Sequence, residues 1–161
     1  MEILNLWILK KINKLNLTKV FLLLYNHYNN KGTKGCGFMI LTIDFNSDEA
    51  LYMQLRNQII YGIANDEIKE GDSLPSVRQM ADDIGINMHT VNKAYSVLKN
   101  EGFLKLDRRY GAIIAFSVDK LQAVEDMKDE MRVILAKAIC KNVTEEEAIE
   151  IVHQIYDEFL T

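Results

Sequence analysis

Apolar side chains recur every three to four residues through much of this chain, with short alternating runs between them, and that rhythm divides it into elements. Met39–Phe45 alternates as a short extended segment. Asn46-Ser47-Asp48 then supplies turn and capping chemistry, and Tyr52, Leu55, Ile59 and Ile63 mark an amphipathic helix over 49–66. Gly71-Asp72 closes the linker that follows. Leu74-Pro75-Ser76 opens the next helix, where the Ser76 hydroxyl is placed to accept from the free N–H groups of the first turn. Its apolar face is Val77, Met80, Ala81 and Ile84, and Gly85 provides a left-handed stop. Asn87 caps a third helix with Val91, Ala94, Tyr95 and Leu98 inward, ending at Asn100-Glu101-Gly102. Two short helices about a Gly-containing turn, the second polar on one face, form a helix-turn-helix.

The runs Phe103–Leu106 and Ala112–Phe116 are short and β-prone, and the five-residue connection Asp107–Gly111 between them predicts a hairpin with Arg108 and Arg109 at its tip. A helix-turn-helix followed directly by such a hairpin is a winged helix. Further on, Leu121, Val124, Met127, Met131, Leu135 and Ala138 form one apolar stripe, and Ile149, Val152, Ile155, Tyr156 and Phe159 form another. Thr144-Glu145-Glu146-Glu147 between them is a capping box, so two antiparallel helices are expected. A segment of 43 residues, 119–161, is close to the ~40-residue size below which an independent core is rarely built, so the stripes are expected to bury against a second copy of the chain. It is also too small to enclose a metabolite comfortably, and no small-molecule effector is expected. The predicted architecture is mostly α with a small β-hairpin wing: a winged helix-turn-helix over 39–117, then a helical dimerisation tail over 118–161.

Residues 1–38 stand apart. They carry six Lys and one Glu, net +5, whereas 39–161 carry 13 basic and 22 acidic side chains, net −9. The apolar run Val20–Tyr25 is far short of the ~20 residues that span a bilayer, and no small-residue cleavage site precedes the polar stretch Asn26–Lys34. Three readings stay open: an amphipathic extension, a membrane-surface helix, or translated sequence upstream of the true start. The last is favoured, because Lys34-Gly35 can be encoded by a purine-rich AAAGG-type ribosome-binding sequence about nine nucleotides before the Met39 codon. On that reading 1–38 is a non-native extension, poorly ordered or a loose helix.

A content of 48% hydrophobic and 26% charged residues is that of a globular chain, neither collagenous nor disordered. Cys36 and Cys140 lie far apart with no Cys or His at ligand spacing, so neither a zinc site nor a disulfide framework is expected, and a reducing cytoplasm is the default compartment. No Gly-rich phosphate loop, nucleophile motif or paired His exists, so no catalytic residue, metal or cofactor is expected. The overall charge of −4 rules out nucleic-acid binding by global basicity. Locally, however, 76–111 carries six basic residues against four acidic ones, between flanks of net −5 and −6. A basic surface is offered in one place only.

On these residues the stretch Tyr52–Phe116 resembles the winged-helix domain of GntR-family bacterial transcription regulators. Leu74-Pro75-Ser76-Val77-Arg78-Gln79-Met80-Ala81 matches the family's central motif, and Asn87-Met88-His89-Thr90-Val91-Asn92-Lys93-Ala94-Tyr95 looks like the recognition helix of the YtrA-type branch. The wing departs from the family pattern of two glycines and a Thr: Arg109 stands at the first glycine, Gly111 at the second, and Ala112 replaces the Thr. The short helical tail is similar to the dimerisation segment of YtrA-type members, which lack a large effector domain. The resemblance implies a homodimeric repressor on a palindromic double-stranded DNA operator, often controlling a transporter operon.

Arg78, within the motif, is expected to meet DNA, against the alternative of pairing with Asp82 one turn on. His89 opens the recognition helix where side chains meet base edges, and Thr90, Asn92 and Lys93 carry hydrogen-bonding chemistry suited to phosphates and bases. Asn87 has a capping role besides. Arg108 and Arg109 are expected on phosphates, with Ser76, Met88 and Tyr110 completing the contact set. Tyr95 is expected in the core. Leu121, Val124, Met131, Leu135, Ile149, Val152, Ile155, Tyr156 and Phe159 are assigned to dimerisation. The competing reading is a winged helix that meets an acidic protein partner and has no specific DNA site.

Overall fold

The computed structural model describes residues 19–28, 34–108, 111–116 and 119–160. They fall into two compact units that divide between Phe116 and Ser117. In the first unit, strands β1 (Lys19–Tyr28) and β2 (Lys34–Ile43) precede helix α1 (Leu51–Ala64). Strand β3 (Ser73–Leu74), helices α2 (Val77–Ile84) and α3 (Met88–Asn100), and strands β4 (Leu104–Asp107) and β5 (Gly111–Ile114) follow. The sheet is antiparallel in the order β2-β1-β3-β5-β4. Its last three strands and the three helices make the expected winged helix-turn-helix.

Three expectations need correction. Residues 19–28 and 34–38 form strands and not a loose helix: β1 pairs with β2 from Lys19↔Ile43 to Tyr28↔Lys34, and Asn26 meets Ser73 of β3. A short apolar run such as Val20–Tyr25 has no period that separates strand from helix, and here the ladder satisfies its backbone groups. Residues 1–18 and 29–33 lie outside the described residues. The extended segment expected over Met39–Phe45 therefore belongs to a strand that begins at Lys34. The wing connection is also shorter than five residues, because Asp107↔Gly111 still pair and leave 108–110 between the strands. Gly111, at φ +77°, takes the left-handed conformation that lets the chain re-enter the ladder.

The core lies where the three helices meet the sheet. Met39, Leu41 and Ile43 from β2, Leu55 and Ile59 from α1, and Ile114 from β5 are all but fully buried there. From the helix-turn-helix come Met80 and Ile84 of α2 and Val91, Ala94, Tyr95 and Leu98 of α3, as their spacing requires. Gly62 has no room for a side chain: a Cβ would lie 2.7 Å from the Met39 sulfur and 3.0 Å from Ile68 Cδ1, so β2 packs directly on the α1 backbone. Buried Gln54 ties the turn before α1 to the helix. Its Oε1 accepts from Asp44 N at 2.8 Å, and its Nε2 donates to Asp44 O at 2.9 Å and Glu49 O at 2.8 Å.

The second unit holds α4 (Lys120–Ile139) and α5 (Glu145–Leu160). Thr144 N donates to Glu147 Oε2 at 2.8 Å and Glu147 N to Thr144 Oγ1 at 3.2 Å, which is the reciprocal cap read from the sequence. The helices do not close on each other, however, and no residue of either is fully buried. A hollow of about 500 Å³ opens between them, lined by Met131, Leu135, Ala138, Ile149 and Val152 among others.

Replacing Gln54 with Ala leaves the Asp44 N–H and two carbonyls without this partner. Urea denaturation should show destabilisation by about 1–3 kcal/mol, and a change below measurement would mean that water replaces the amide in full.

Candidate nucleic-acid interface

The helix-turn-helix is set by its caps. Ser76 Oγ accepts from Gln79 N at 3.2 Å to start α2, and Gly85, at φ +68°, turns the chain out of it. Asn87 Oδ1 accepts from His89 N at 2.8 Å to start α3, so Asn87 does cap. The inner face of α3 fixes its rotation, and the remaining residues point outward in a defined order.

At 100° per residue Met88 and Asn92 are neighbours on one flank, one turn apart, and His89 lies on the outermost line of the helix. All three are exposed, while Thr90 is half-buried. Ser96, one turn beyond Asn92, donates its hydroxyl to the Asn92 carbonyl at 2.8 Å. Lys93 lies on the flank turned toward α1, and its ammonium sits 3.8 Å from the centroid of the Tyr52 ring. This contact was missed from sequence, since Tyr52 counted only as a core position of α1. Its location at the first turn of α1 was the available signal.

Two further contacts lock α3. The buried Tyr95 hydroxyl donates to Pro75 O at 2.9 Å, tying α3 to the segment that opens α2. Burial raises the Tyr95 phenol far above its ordinary value, so it remains a donor throughout the working pH range. Arg56 Nε reaches Glu101 Oε2 at 2.8 Å and joins α1 to the end of α3.

Arg78, on the first turn of α2, is exposed and makes no ion pair with Asp82; Gln79 instead donates to Asp83. Ser76 is exposed beside it. Arg108 is exposed where β4 ends, and Lys105 is exposed on β4 itself. Arg109 and Tyr110 lie outside the described residues. The structure thus brings the candidates of α2 and α3 onto one structural unit, with Lys93 set apart on the α1 side. Among the described residues no group of His, Cys, Asp or Glu could hold a metal ion, and no helix is long and apolar enough to cross a membrane.

A capped helix-turn-helix with a two-stranded wing and a polar outer face on its second helix defines a winged-helix transcription regulator. Residues 48–114 match the bacterial regulatory proteins of the gntR family, and the chain belongs to that family. It is similar to YhcF of Bacillus subtilis (strain 168), an uncharacterized HTH-type transcriptional regulator. They are 32% identical over 101 residues, 63% of this chain and 81% of the relative. It is 37% identical over 76 residues to the HTH-type transcriptional repressor YtrA of the same organism, covering 47% of this chain and 58% of that one. Among solved structures, YtrA from Sulfolobus acidocaldarius, a GntR-family transcription factor, superposes with a TM-score of 0.54 at 37% identity. The match covers 62% of this chain and 97% of that one. The family is one of transcription regulators and not of enzymes.

Tyr95→Phe removes only the hydroxyl that holds Pro75. Stability should fall by about 0.5–1.5 kcal/mol in urea, and an unchanged midpoint would show that the bond has no net worth.

Proposed function

We propose that the protein is a cytoplasmic homodimeric repressor that recognises a two-fold DNA operator through α3 and the wing. The observation that carries the dimer is the unburied tail. Of the fifteen large hydrophobic residues exposed among the described ones, eleven lie on α4 and α5, including Leu121, Leu135, Ile149, Ile155 and Tyr156. Val124, Met131, Val152 and Phe159 are half-buried. Apolar area of this extent, on helices with no fully buried residue, is accounted for best by a second copy of the same pair. Two linked recognition helices then address half-sites one helical turn apart, which makes the operator a palindrome. The repressor assignment rests on likeness to the repressor YtrA, and a transporter operon is the target that the family resemblance implies.

Arg78, His89 and Asn92 supply directional donors and acceptors for base edges. Asn87 and Thr90 frame them at the helix start, and Ser76 sits at the start of α2. Lys93 and Arg108, with Arg109 and Tyr110 at the wing, hold the backbone.

Selection of bound fragments from genomic DNA, followed by salt-titrated binding, tests the reading. One short palindrome should be preferred over random duplex at every salt concentration, whereas equal affinity for both would favour the protein-interaction alternative. Leu135→Asp and Ile155→Asp each place a charge in the apolar seam. Sedimentation should show both variants as monomers, with cooperative binding to the two-fold site abolished. An intact protein that sediments as a monomer would remove the dimer. Lys93→Ala and Arg108→Ala should weaken specific and random DNA alike and lower the salt slope by about one unit for each phosphate no longer neutralised.

A further inference from the structure

Met88 is a large apolar side chain in a place that needs a reason. It is 50% exposed, although it opens a helix whose neighbouring outward residues are polar. Outside the tail, the other large hydrophobics exposed among the residues whose side chains are described are Phe45 at 39%, Tyr61 at 45% and Leu106 at 58%, and none of these is on the helix-turn-helix. The Asn87 cap fixes the backbone from which Met88 projects, and helical spacing places it beside Asn92, one turn on. His89 borders it on the outermost line of α3. The thioether is a weak acceptor and no donor, so it reads no hydrogen-bonding pattern on a base edge. What it offers is a flexible, polarisable apolar surface.

In the major groove the apolar group that distinguishes one base pair from the others is the C5 methyl of thymine. On the proposed function above, which this inference extends, we propose that Met88 determines specificity by packing on a thymine methyl in each half-site, next to the base pair that Asn92 faces. The ligand chemistry is therefore a methylated pyrimidine edge, read without a hydrogen bond.

The test uses the full chain and the operator recovered by selection. Each thymine in one half-site is replaced singly by deoxyuridine, which removes the methyl and keeps every hydrogen-bonding group. Affinity should fall about fourfold at one thymine, the decrease expected for one buried methyl-sized group, and stay level at the others. Met88→Ala should bind the unmodified operator with a similar decrease and be insensitive to deoxyuridine at that place, while Met88→Leu should keep the sensitivity. A wild-type protein indifferent to every deoxyuridine replacement, an operator with no thymine in either half-site, or a Met88→Ala variant that still senses the methyl would each overturn the proposal. The replacements in DNA need no protein variant, so a variant that fails to fold leaves the test intact. Binding of the same protein to a mixed-sequence duplex separates the two failures. If it binds and prefers the selected operator, only the Met88 assignment falls; if it binds neither, the DNA-binding reading falls with it.

Discussion

The rotation of α3 about its own axis is the constraint on which the interface depends. It is set by four buried side chains, Val91, Ala94, Tyr95 and Leu98, packed into a core shared with α1, α2 and the sheet. An error of one residue in that inner face would turn the helix by 100° and present a different set of groups outward. The Tyr95–Pro75 hydrogen bond and the Arg56–Glu101 pair act at different points along the helix and resist such a turn. Packing supplies the larger share of the stability, and these two polar links add direction to it.

A similar combination of packing and polar links holds β2 and the turn after it against α1. Gln54 satisfies three backbone groups of the turn before α1, and Gly62 lets Met39 lie on the helix backbone. β2 is thereby pinned to the helix that carries Tyr52, and through Tyr52 to the flank of α3. β2 and α3 are thus linked through α1.

The winged helix was legible in the sequence because its signals are local. Ser76, Gly85 and Asn87 announce their caps, and the inward faces of α2 and α3 follow helical spacing in the core positions named for them, Val77 alone remaining at the core's edge. The tail helices were legible for the same reason, down to the reciprocal cap of Thr144 and Glu147. What escaped is long-range. The pairing of β1 with β2 depends on a partner strand and not on the period of Val20–Tyr25. The opening between α4 and α5 depends on how two stripes fit, which periodicity does not encode. In the interface, spacing found the outward residues but could not show that Lys93 already has a neighbour in Tyr52, which is distant in sequence and on another helix.

That neighbour gives Lys93 a choice that Arg78, exposed on α2, does not face in the same form. On the proposed function, a phosphate that recruits the Lys93 ammonium competes with the aromatic face, an attraction worth about 0.5–1 kcal/mol at an exposed site. Anything that draws the ammonium off the Tyr52 ring removes the ring-current shift felt at the end of the lysine side chain, and that signal is where the exchange can be watched.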